Sequence, residues 1–284
     1  MSTTTPTPSL AQTTVPANLR TYQGGCHCGN VKFSVTLPEI KSANECTCSI
    51  CSRKGYAWVF PREGGLVFEE GKGVESLRGY EFAGRRMVHR FCPTCGNGVM
   101  GQRHHWPAWN AIGVNARLLA DVDVATLPID KFDGAALPPH YDSHLFHAPW
   151  PAVAATAGTT SHGSCHCGAT TLGLAAKLPL PDGQRCSCDL CYSSAAKLTC
   201  PEGDEVAVVT SGLQPLTNYK GVLFCPRCGV YVSGEAGEGG GGTGEDKEMA
   251  ACKGLGKMRV NVRCFEGWGA REKEVEAGED EGSC

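Results

Sequence analysis

Long apolar runs are missing from this sequence, and so are the usual marks of an N-terminal targeting peptide. No stretch approaches the roughly 18 apolar residues that a membrane-spanning helix needs. Residues 1–20 contain neither the apolar run of a secretory signal nor the repeated arginines of a transit peptide. We therefore expect a protein with no membrane association that resides in the cytoplasm, with the nucleus as the second candidate compartment.

An excess of positive charge is also absent. Lysine and arginine number 26 against 29 acidic residues, which gives a formal net charge of -3. This balance argues against nucleic acid as a partner and against binding to anionic membranes through bulk charge. A hydrophobic content of 41% argues against a wholly disordered chain. With 284 residues, the chain has room for about two domains of roughly 150 residues each.

Cysteine is abundant, at 18 residues, and most of it falls in three motifs that occur twice in the same order. Chance does not produce such a series, so it predicts two tandem copies of one domain with seven motif cysteines each. In a chain without a secretory signal, cysteines in close pairs indicate metal binding rather than disulfides. The motifs are GCHCG at 25–29 and SCHCG at 164–168, CTCSIC at 46–51 and CSCDLC at 186–191, and FCPTCG at 91–96 and FCPRCG at 224–229.

Composition suggests where the copies begin and end. We predict a Thr/Pro-rich flexible arm over 1–20, a first domain over 21–146 and a Pro/Ala/Thr-rich linker over 147–161. The second domain is expected over 162–270, with a flexible Gly/Glu insert at 234–248, and an acidic tail follows at 271–284.

Period-two alternation predicts short strands in both copies. Val31, Phe33 and Val35 alternate with polar neighbours. Further short strands are predicted at 57–60, 66–68, 86–91 and 206–210, and one or two helical turns at 122–127. The expected fold is mainly β, in two small tandem domains, and with so little regular core we expect bound metal to supply part of the stability.

Seven thiols per copy divide into a set of four and a set of three. Zinc takes four protein ligands in closed structural sites and three in sites that keep one open position. The most economical division joins the CxC to the CxxC and leaves the CxCxxC as the open set, although the spacing also allows the CxxC to join part of the triplet. The predicted closed sets are Cys26, Cys28, Cys92 and Cys95, and Cys165, Cys167, Cys225 and Cys228. The predicted open sets are Cys46, Cys48 and Cys51, and Cys186, Cys188 and Cys191. This gives up to four Zn²⁺ ions per chain.

The order of the motifs, followed by Val114-Asn115-Ala116-Arg117, resembles the glutathione-dependent formaldehyde-activating enzyme family, which includes centromere protein V. The resemblance implies two zinc domains of the Mss4-like type. It also implies that the sets of four hold structural zinc and that the triplets hold catalytic zinc. The implied activity is that of a zinc-dependent carbon–sulfur lyase, which forms or breaks S-(hydroxymethyl)glutathione or a related thiol adduct. The implied partner is a small molecule, a glutathione adduct; the sequence does not indicate an oligomeric state.

Two other functions compete with the lyase. The first is a non-catalytic protein in which the zinc domains bind a protein or nucleic-acid partner. The second is a zinc or redox buffer that uses the triplets. An incompletely coordinated metal site favours the enzyme, because a purely structural domain does not need one.

The copies differ next to the triplets, and this favours the first copy as the active one. Arg53 and Lys54 follow the first triplet, whereas Ser193 and Ser194 stand at these places in the second. Two interpretations of Arg53 and Lys54 are open, contacts to a substrate carboxylate or ordinary solvated surface.

Several other polar residues have no clear role from the sequence. The cluster formed by Arg85, Arg86, His89 and Arg90 is expected to be a solvated hairpin, with a partner contact as the alternative. His27 and His166 are expected to point away from the thiolates beside them. For the aromatic segment that contains His104, His105, Trp106 and Trp109, a packed loop is expected rather than a pocket. The four cysteines outside the motifs are expected to be unreactive thiols; they are Cys200, Cys252, Cys264 and Cys284.

Overall fold

The structure is a computed structural model, and it describes residues 18–104, 111–142, 161–174, 188–199, 206–209, 215–234 and 259–265. The arm up to residue 17 and the acidic tail lie outside these residues. So do most of the linker and the insert, together with His105, Trp106, Trp109, Cys186, Cys200, Cys252 and Cys284. Within the described residues, no helix is long and apolar enough to cross a membrane.

The first half of the chain, described over 18–104 and 111–142, is built mainly from short strands. In chain order the elements are β1 (Leu19–Gly25), β2 (Lys32–Pro38), β3 (Ala43–Cys46), helix α1 (Ser49–Lys54), β4 (Trp58–Val59), β5 (Leu66–Phe68), β6 (Arg78–Tyr80), β7 (Met87–Phe91), β8 (Gly98–Arg103), β9 (Ile112–Asn115) and β10 (Ile129–Phe132). Single 3₁₀ turns cover Val74–Ser76, Ala116–Leu118 and Val124–Thr126, the last of them inside the predicted turn at 122–127.

Two sheets make up this half. One is a three-stranded sheet in the order β1-β2-β5, and the other is a seven-stranded sheet in the order β10-β3-β4-β9-β8-β7-β6. The period-two pattern of β2 is confirmed, because Phe33 and Val35 are buried in the core while Lys32 is exposed. The parallel pairing of β10 with β3 sets Phe132 beside Cys46 and so brings the segment after β9 to the triplet.

The second half, described over 161–265 with gaps, repeats most of this plan. Its elements are β11 (Ser161–Ser164), β12 (Thr171–Leu174), helix α2 (Asp189–Ser194), β13 (Leu198–Thr199), β14 (Val206–Val209), β15 (Thr217–Tyr219), β16 (Val222–Phe224), β17 (Tyr231–Gly234) and β18 (Arg259–Asn261), followed by a 3₁₀ turn at Val262–Cys264. The sheet orders β11-β12-β14 and β13-β18-β17-β16-β15 match β1-β2-β5 and β4-β9-β8-β7-β6 strand for strand.

The repeated Val-Asn-x-Arg segments fasten the two helices to their sheets. Asn115 caps the 3₁₀ turn that follows β9, and its Nδ2 donates to the Gly98 carbonyl at 2.9 Å. The Arg117 Nε donates to the carbonyl of Gly55, the residue that ends α1, at 2.9 Å. Asn261 and Arg263 make the corresponding bonds in the second half. These segments therefore hold the helices that carry the last cysteine of each triplet.

The two halves pack against each other through their CxxC turns. Gly96 and Gly229 both have positive φ, and a Cβ at either would come within 3 Å of the phenylalanine ring of the opposite half, Phe224 or Phe91. Lys54 lies between the turns and is buried. Its Nζ donates to the Gly229 carbonyl at 2.6 Å and to the Gly96 carbonyl at 3.4 Å. Residue Lys54 thus joins one half to the other.

We expect Lys54→Met to lower the free energy of unfolding by about 1–3 kcal/mol, because it leaves two buried carbonyls without their charged donor. Denaturant unfolding with metal content monitored measures the effect. The matched control is Lys72→Met, which removes an exposed pair with Glu69 at 4.0 Å and should cost less than about 0.5 kcal/mol. Equal stability of both variants would contradict the bridging role.

Candidate metal centres and the cavity beside them

The first set of four cysteines forms one compact cluster in the first half. The CxC follows β1 and the CxxC follows β7, and the four sulfur atoms all lie within 4.8 Å of one another. The Cys26 and Cys28 sulfurs are 3.5 Å apart, and those of Cys28 and Cys92 are 3.6 Å apart. Four ligands at 2.3 Å in a tetrahedron would be about 3.8 Å from each other, so this cluster fits zinc.

The second half contains the equivalent cluster. Cys165 and Cys167 lie 3.6 Å apart, as do Cys167 and Cys225, and Cys228 completes the set within 4.8 Å. In both clusters a backbone N–H donates to the first sulfur at 3.3 Å, from Val31 to Cys26 and from Thr170 to Cys165. Such donors orient thiolate ligands, which supports metal binding here as well. Among the cysteines that the structure describes, no CxxC joins a triplet.

The triplet Cys46, Cys48 and Cys51 forms a third cluster, separate from the closed ones. Cys46 ends β3, Cys48 is the N-cap residue of α1, and Cys51 lies within that helix. Their sulfur atoms all lie within 4.8 Å of one another. The sequence analysis missed the six-residue helix, because six residues are too few to show helical periodicity. Three thiols on this turn can hold a metal and leave one position for another ligand.

Hydrogen bonds among the three thiols of the triplet favour a thiolate on Cys46. Hydrogen bonds from the Cys48 and Cys51 thiols lower the pKa of Cys46 to about 3. The contact with Cys46 raises the pKa of Cys48 to about 11, and the contacts with Cys46 and Cys48 raise the pKa of Cys51 well above its usual value. One sulfur of the triplet is therefore charged at neutral pH, which suits a cation-binding site.

The second triplet is described only in part, because Cys186 lies outside the described residues. Cys188 is the N-cap residue of α2 and Cys191 lies within that helix, in the same places as Cys48 and Cys51. The closed clusters and the first triplet make three sets that could hold metal among the described residues, and the fourth predicted site stays a prediction.

A cavity of about 2120 Å³ opens beside the first triplet, and all three of its cysteines line it. Charged side chains of both signs are present around it, among them Arg86, Arg103 and Glu45. The aromatic side chains in its wall include Trp58, Phe60, Tyr80 and Phe82. The second half of the chain contributes His166, Cys167 and Arg227. The cavity is thus built from both halves.

His166, from the second half, lines this cavity and contacts residues of the first half. Its buried ring shares hydrogen bonds with the Ser49 hydroxyl at 2.9 Å and with the Tyr80 hydroxyl at 2.8 Å. Tyr141 stacks on the same ring at 4.5 Å and donates to the His166 carbonyl at 2.7 Å. Neither His166 nor His27 belongs to a cysteine cluster; His27 bonds to the Tyr219 hydroxyl at 2.9 Å.

Trp58 connects the triplet to a stack of rings, which the sequence analysis did not single out. Its indole N–H donates to the Cys51 sulfur at 3.4 Å. The Tyr56 ring stacks on Trp58 at 4.1 Å, and His89 lies 5.7 Å from Tyr56, measured between ring centroids. The signal available in the sequence was the alternation over Tyr56, Trp58 and Phe60 immediately after the triplet.

The surface interpretation of Arg53 and Lys54 is wrong. Both side chains are buried, at 9% and 6% exposure, because α1 packs into the contact between the halves. Arg53 donates from Nε to the Ser164 carbonyl at 3.3 Å and from a terminal nitrogen to the Ser49 carbonyl at 3.0 Å. Neither residue is part of the cavity lining. Their role as substrate contacts stays an untested prediction.

The expected solvated hairpin is also wrong for one of its members. Arg85 and Arg86 are exposed, but His89 is 3% exposed and lines the cavity. His89 belongs to β7, whose cavity-facing side it shares with Met87. His104, from the predicted aromatic loop, is exposed and bonds to Glu81 at 2.7 Å.

In the described part of the second half, smaller apolar residues stand where polar rings surround the first triplet. Trp58 and Leu198 occupy equivalent places, since they pair with Asn115 and Asn261 on the adjacent strands. His89 and Val222 also occupy equivalent places. His89 pairs with Tyr80 at the end of β6, and Val222 pairs with Tyr219 at the end of β15. Tyr56, two residues before Trp58, corresponds to Ala196. Among the described residues, the polar and aromatic surroundings of a triplet are therefore confined to the first half.

Two clusters of four thiols beside a cluster of three define a β protein with cysteine sites that could hold metal. Residues 21–128 match the family model described as "Glutathione-dependent formaldehyde-activating enzyme", which confirms the resemblance for the first half. A protein of Halomonas elongata, named "Putative glutathione-dependent formaldehyde-activating enzyme", is 30% identical over 91 residues. That match covers 30% of this chain and 58% of the relative's length. A solved structure of a Rhodobacter sphaeroides protein shows 34% identity over 38% of this chain and 99% of its own, with a TM-score of 0.33.

Proposed function

We propose that this chain is a zinc-dependent carbon–sulfur lyase that forms or breaks S-(hydroxymethyl)glutathione or a related thiol adduct. The observation that carries the proposal is that Cys46, Cys48 and Cys51 all line the cavity, whereas each closed cluster contributes at most one cysteine, Cys167, to its lining. The match of residues 21–128 to the family model supports the substrate class. A reducing compartment, the cytoplasm or the nucleus, suits a site made of free thiols.

The three cysteines of the first triplet would hold the metal. Zinc bound there would supply a Lewis-acid position that keeps an incoming thiol deprotonated. The Trp58 N–H, which donates to Cys51, fixes the orientation of that ligand and stabilises negative charge on its sulfur. The other aromatic side chains of the cavity wall, Phe60, Tyr80 and Phe82, would limit the access of water to the reacting atoms, which strengthens polar contacts there.

The net reaction changes few covalent bonds. A sulfur–carbon bond forms, the carbonyl becomes a hydroxyl, and the thiol proton is exchanged through solvent for the one that the oxygen takes up. The reverse direction breaks the same bond. Because this addition is easy without a catalyst, the main contribution of the protein is to bind both reactants in one orientation.

Exchange spectroscopy with ¹³C-labelled formaldehyde and glutathione tests the proposal directly. The exchange rate between free formaldehyde and the adduct should rise in proportion to the concentration of zinc-loaded protein. The control is the same protein with glutathione replaced by a thiol that has no peptide groups, which should show less acceleration. An exchange rate equal to the uncatalysed one, at zinc contents that fill the clusters, would refute the lyase.

A further inference from the structure

His89 is a buried histidine with one ring nitrogen that the described part of the fold leaves without a hydrogen bond. Its side chain is 3% exposed, and among the residues that the structure describes no group hydrogen bonds to its Nδ1. A buried polar atom without a partner costs about 1–3 kcal/mol, so such groups are usually satisfied by something else. Nothing in the packing of β7 requires a histidine here, because Val222 occupies the same place in the second half.

The rings around His89 hold it rigidly in one orientation. Tyr56 lies 5.7 Å away at an interplanar angle of 24°, and Phe82 lies 5.9 Å away at 28°. Trp58 is 6.3 Å away, measured between centroids. His89 and Phe82 both line the cavity. The imidazole is therefore fixed at the cavity wall between aromatic faces, and this preorganises its ring nitrogens.

The position of His89 relative to the triplet follows from Trp58. The same indole that neighbours His89 donates its N–H to the Cys51 sulfur at 3.4 Å. The imidazole and the sulfur cluster therefore both neighbour the Trp58 ring, on the wall of the same cavity. A thiol adduct held at the triplet would extend its carbon and oxygen atoms into this space.

We propose that His89 is a catalytic residue that donates a hydrogen bond to the oxygen of the hydroxymethyl adduct. The proposal rests on the proposed function. The ring donates its N–H to the carbonyl oxygen as the sulfur–carbon bond forms, and stabilises the charge that develops on that oxygen. The proton that completes the hydroxyl comes from water, so His89 ends the reaction in the form in which it began.

The protonation state of the ring agrees with this role. Burial, followed by the charge of Lys54, lowers the pKa of His89 to about 3. The ring is therefore neutral across the physiological range, with one N–H donor and one acceptor nitrogen. A neutral imidazole can act as a hydrogen-bond donor to a developing oxyanion without a change of its own charge.

Steady-state kinetics of His89→Leu and His89→Gln test the assignment. His89→Leu keeps the volume and removes the donor, so we expect kcat to fall about 10²-fold with little change in KM. His89→Gln restores a donor and should recover kcat to within about tenfold of the wild type. The matched control is His104→Gln, an exposed histidine outside the cavity lining, which should stay within about twofold.

A binding measurement separates this assignment from the proposed function. S-(2-hydroxyethyl)glutathione carries a hydroxyl that S-ethylglutathione lacks, and neither compound reacts. The wild type should bind the hydroxyl compound about tenfold more tightly, and the His89→Leu variant should bind both equally. If that variant does not fold, ¹⁵N NMR of the wild-type His89 ring must show a shift that the hydroxyl compound alone produces.

The possible results are distinguishable. Turnover with no effect of His89→Leu, and no discrimination between the two compounds, would overturn the assignment and leave the lyase intact. Discrimination that is lost in His89→Leu supports the assignment even where kcat falls less than expected. A wild type that neither turns over the adduct nor binds either compound would overturn the proposed function and the role of His89 together.

Discussion

Replacing Cys95 with serine is expected to unfold the first half of the chain. Cys95 is fully buried in the closed cluster, and its loss removes one of four thiolates from a predicted metal site. Apparent zinc-binding free energies of about 10–16 kcal/mol in zinc-finger peptides are as large as the whole stability of a domain, about 5–15 kcal/mol. We expect a loss of more than about 5 kcal/mol, together with the loss of one bound zinc. Circular dichroism with metal analysis measures both.

The matched control is Cys264→Ser. Cys264 is equally buried but belongs to none of the clusters found among the described residues, and its thiol donates to the Tyr231 carbonyl at 3.2 Å, a bond that a hydroxyl can replace. This variant should lose no metal and at most about 2 kcal/mol. A Cys95→Ser protein that melts at the wild-type temperature would show that the closed cluster does not support the fold.

The second large effect is expected from Cys48→Ser. Cys48 belongs to the open triplet. Changes to residues that only orient the ligands of a metal site lower activity by up to about a hundredfold, so we expect the loss of a ligand itself to lower turnover by at least that much. The fold should survive, because serine is a favourable N-cap residue and Cys48 occupies the N-cap of α1. The two closed clusters should keep their metal. The exchange assay and native mass spectrometry measure the two quantities.

Cys188→Ser is the paired variant in the second half, where Cys188 caps α2 in the same way. We expect its turnover to stay within about twofold, because Leu198 and Val222 replace Trp58 and His89 there. An equal loss in both variants would show that both triplets act. If neither the wild type nor Cys48→Ser turns over substrate, a role in partner binding becomes the better explanation of the tandem clusters.

Much of this architecture was predictable because its determinants are local. The alternation of Val31, Phe33 and Val35 identified a strand with one buried side, and the close cysteine pairs predicted clusters that could hold metal. Both signals depend on spacing along a short segment, which the backbone geometry of a strand or a turn converts directly into a shared face. The order of the motifs was likewise enough to indicate the family.

By itself, the sequence determined the mainly β class, the three cysteine motifs of each half and the resemblance of the first half to a known family. Only the tertiary structure decided which sets join, because the CxC and CxxC that share a cluster lie 64 positions apart in the first half (Cys28 to Cys92) and 58 in the second (Cys167 to Cys225), and meet through strand pairing. It also decided that Lys54 bridges two halves and that His89 faces a cavity. These roles arise where segments distant in the chain come together, and no local pattern records such contacts.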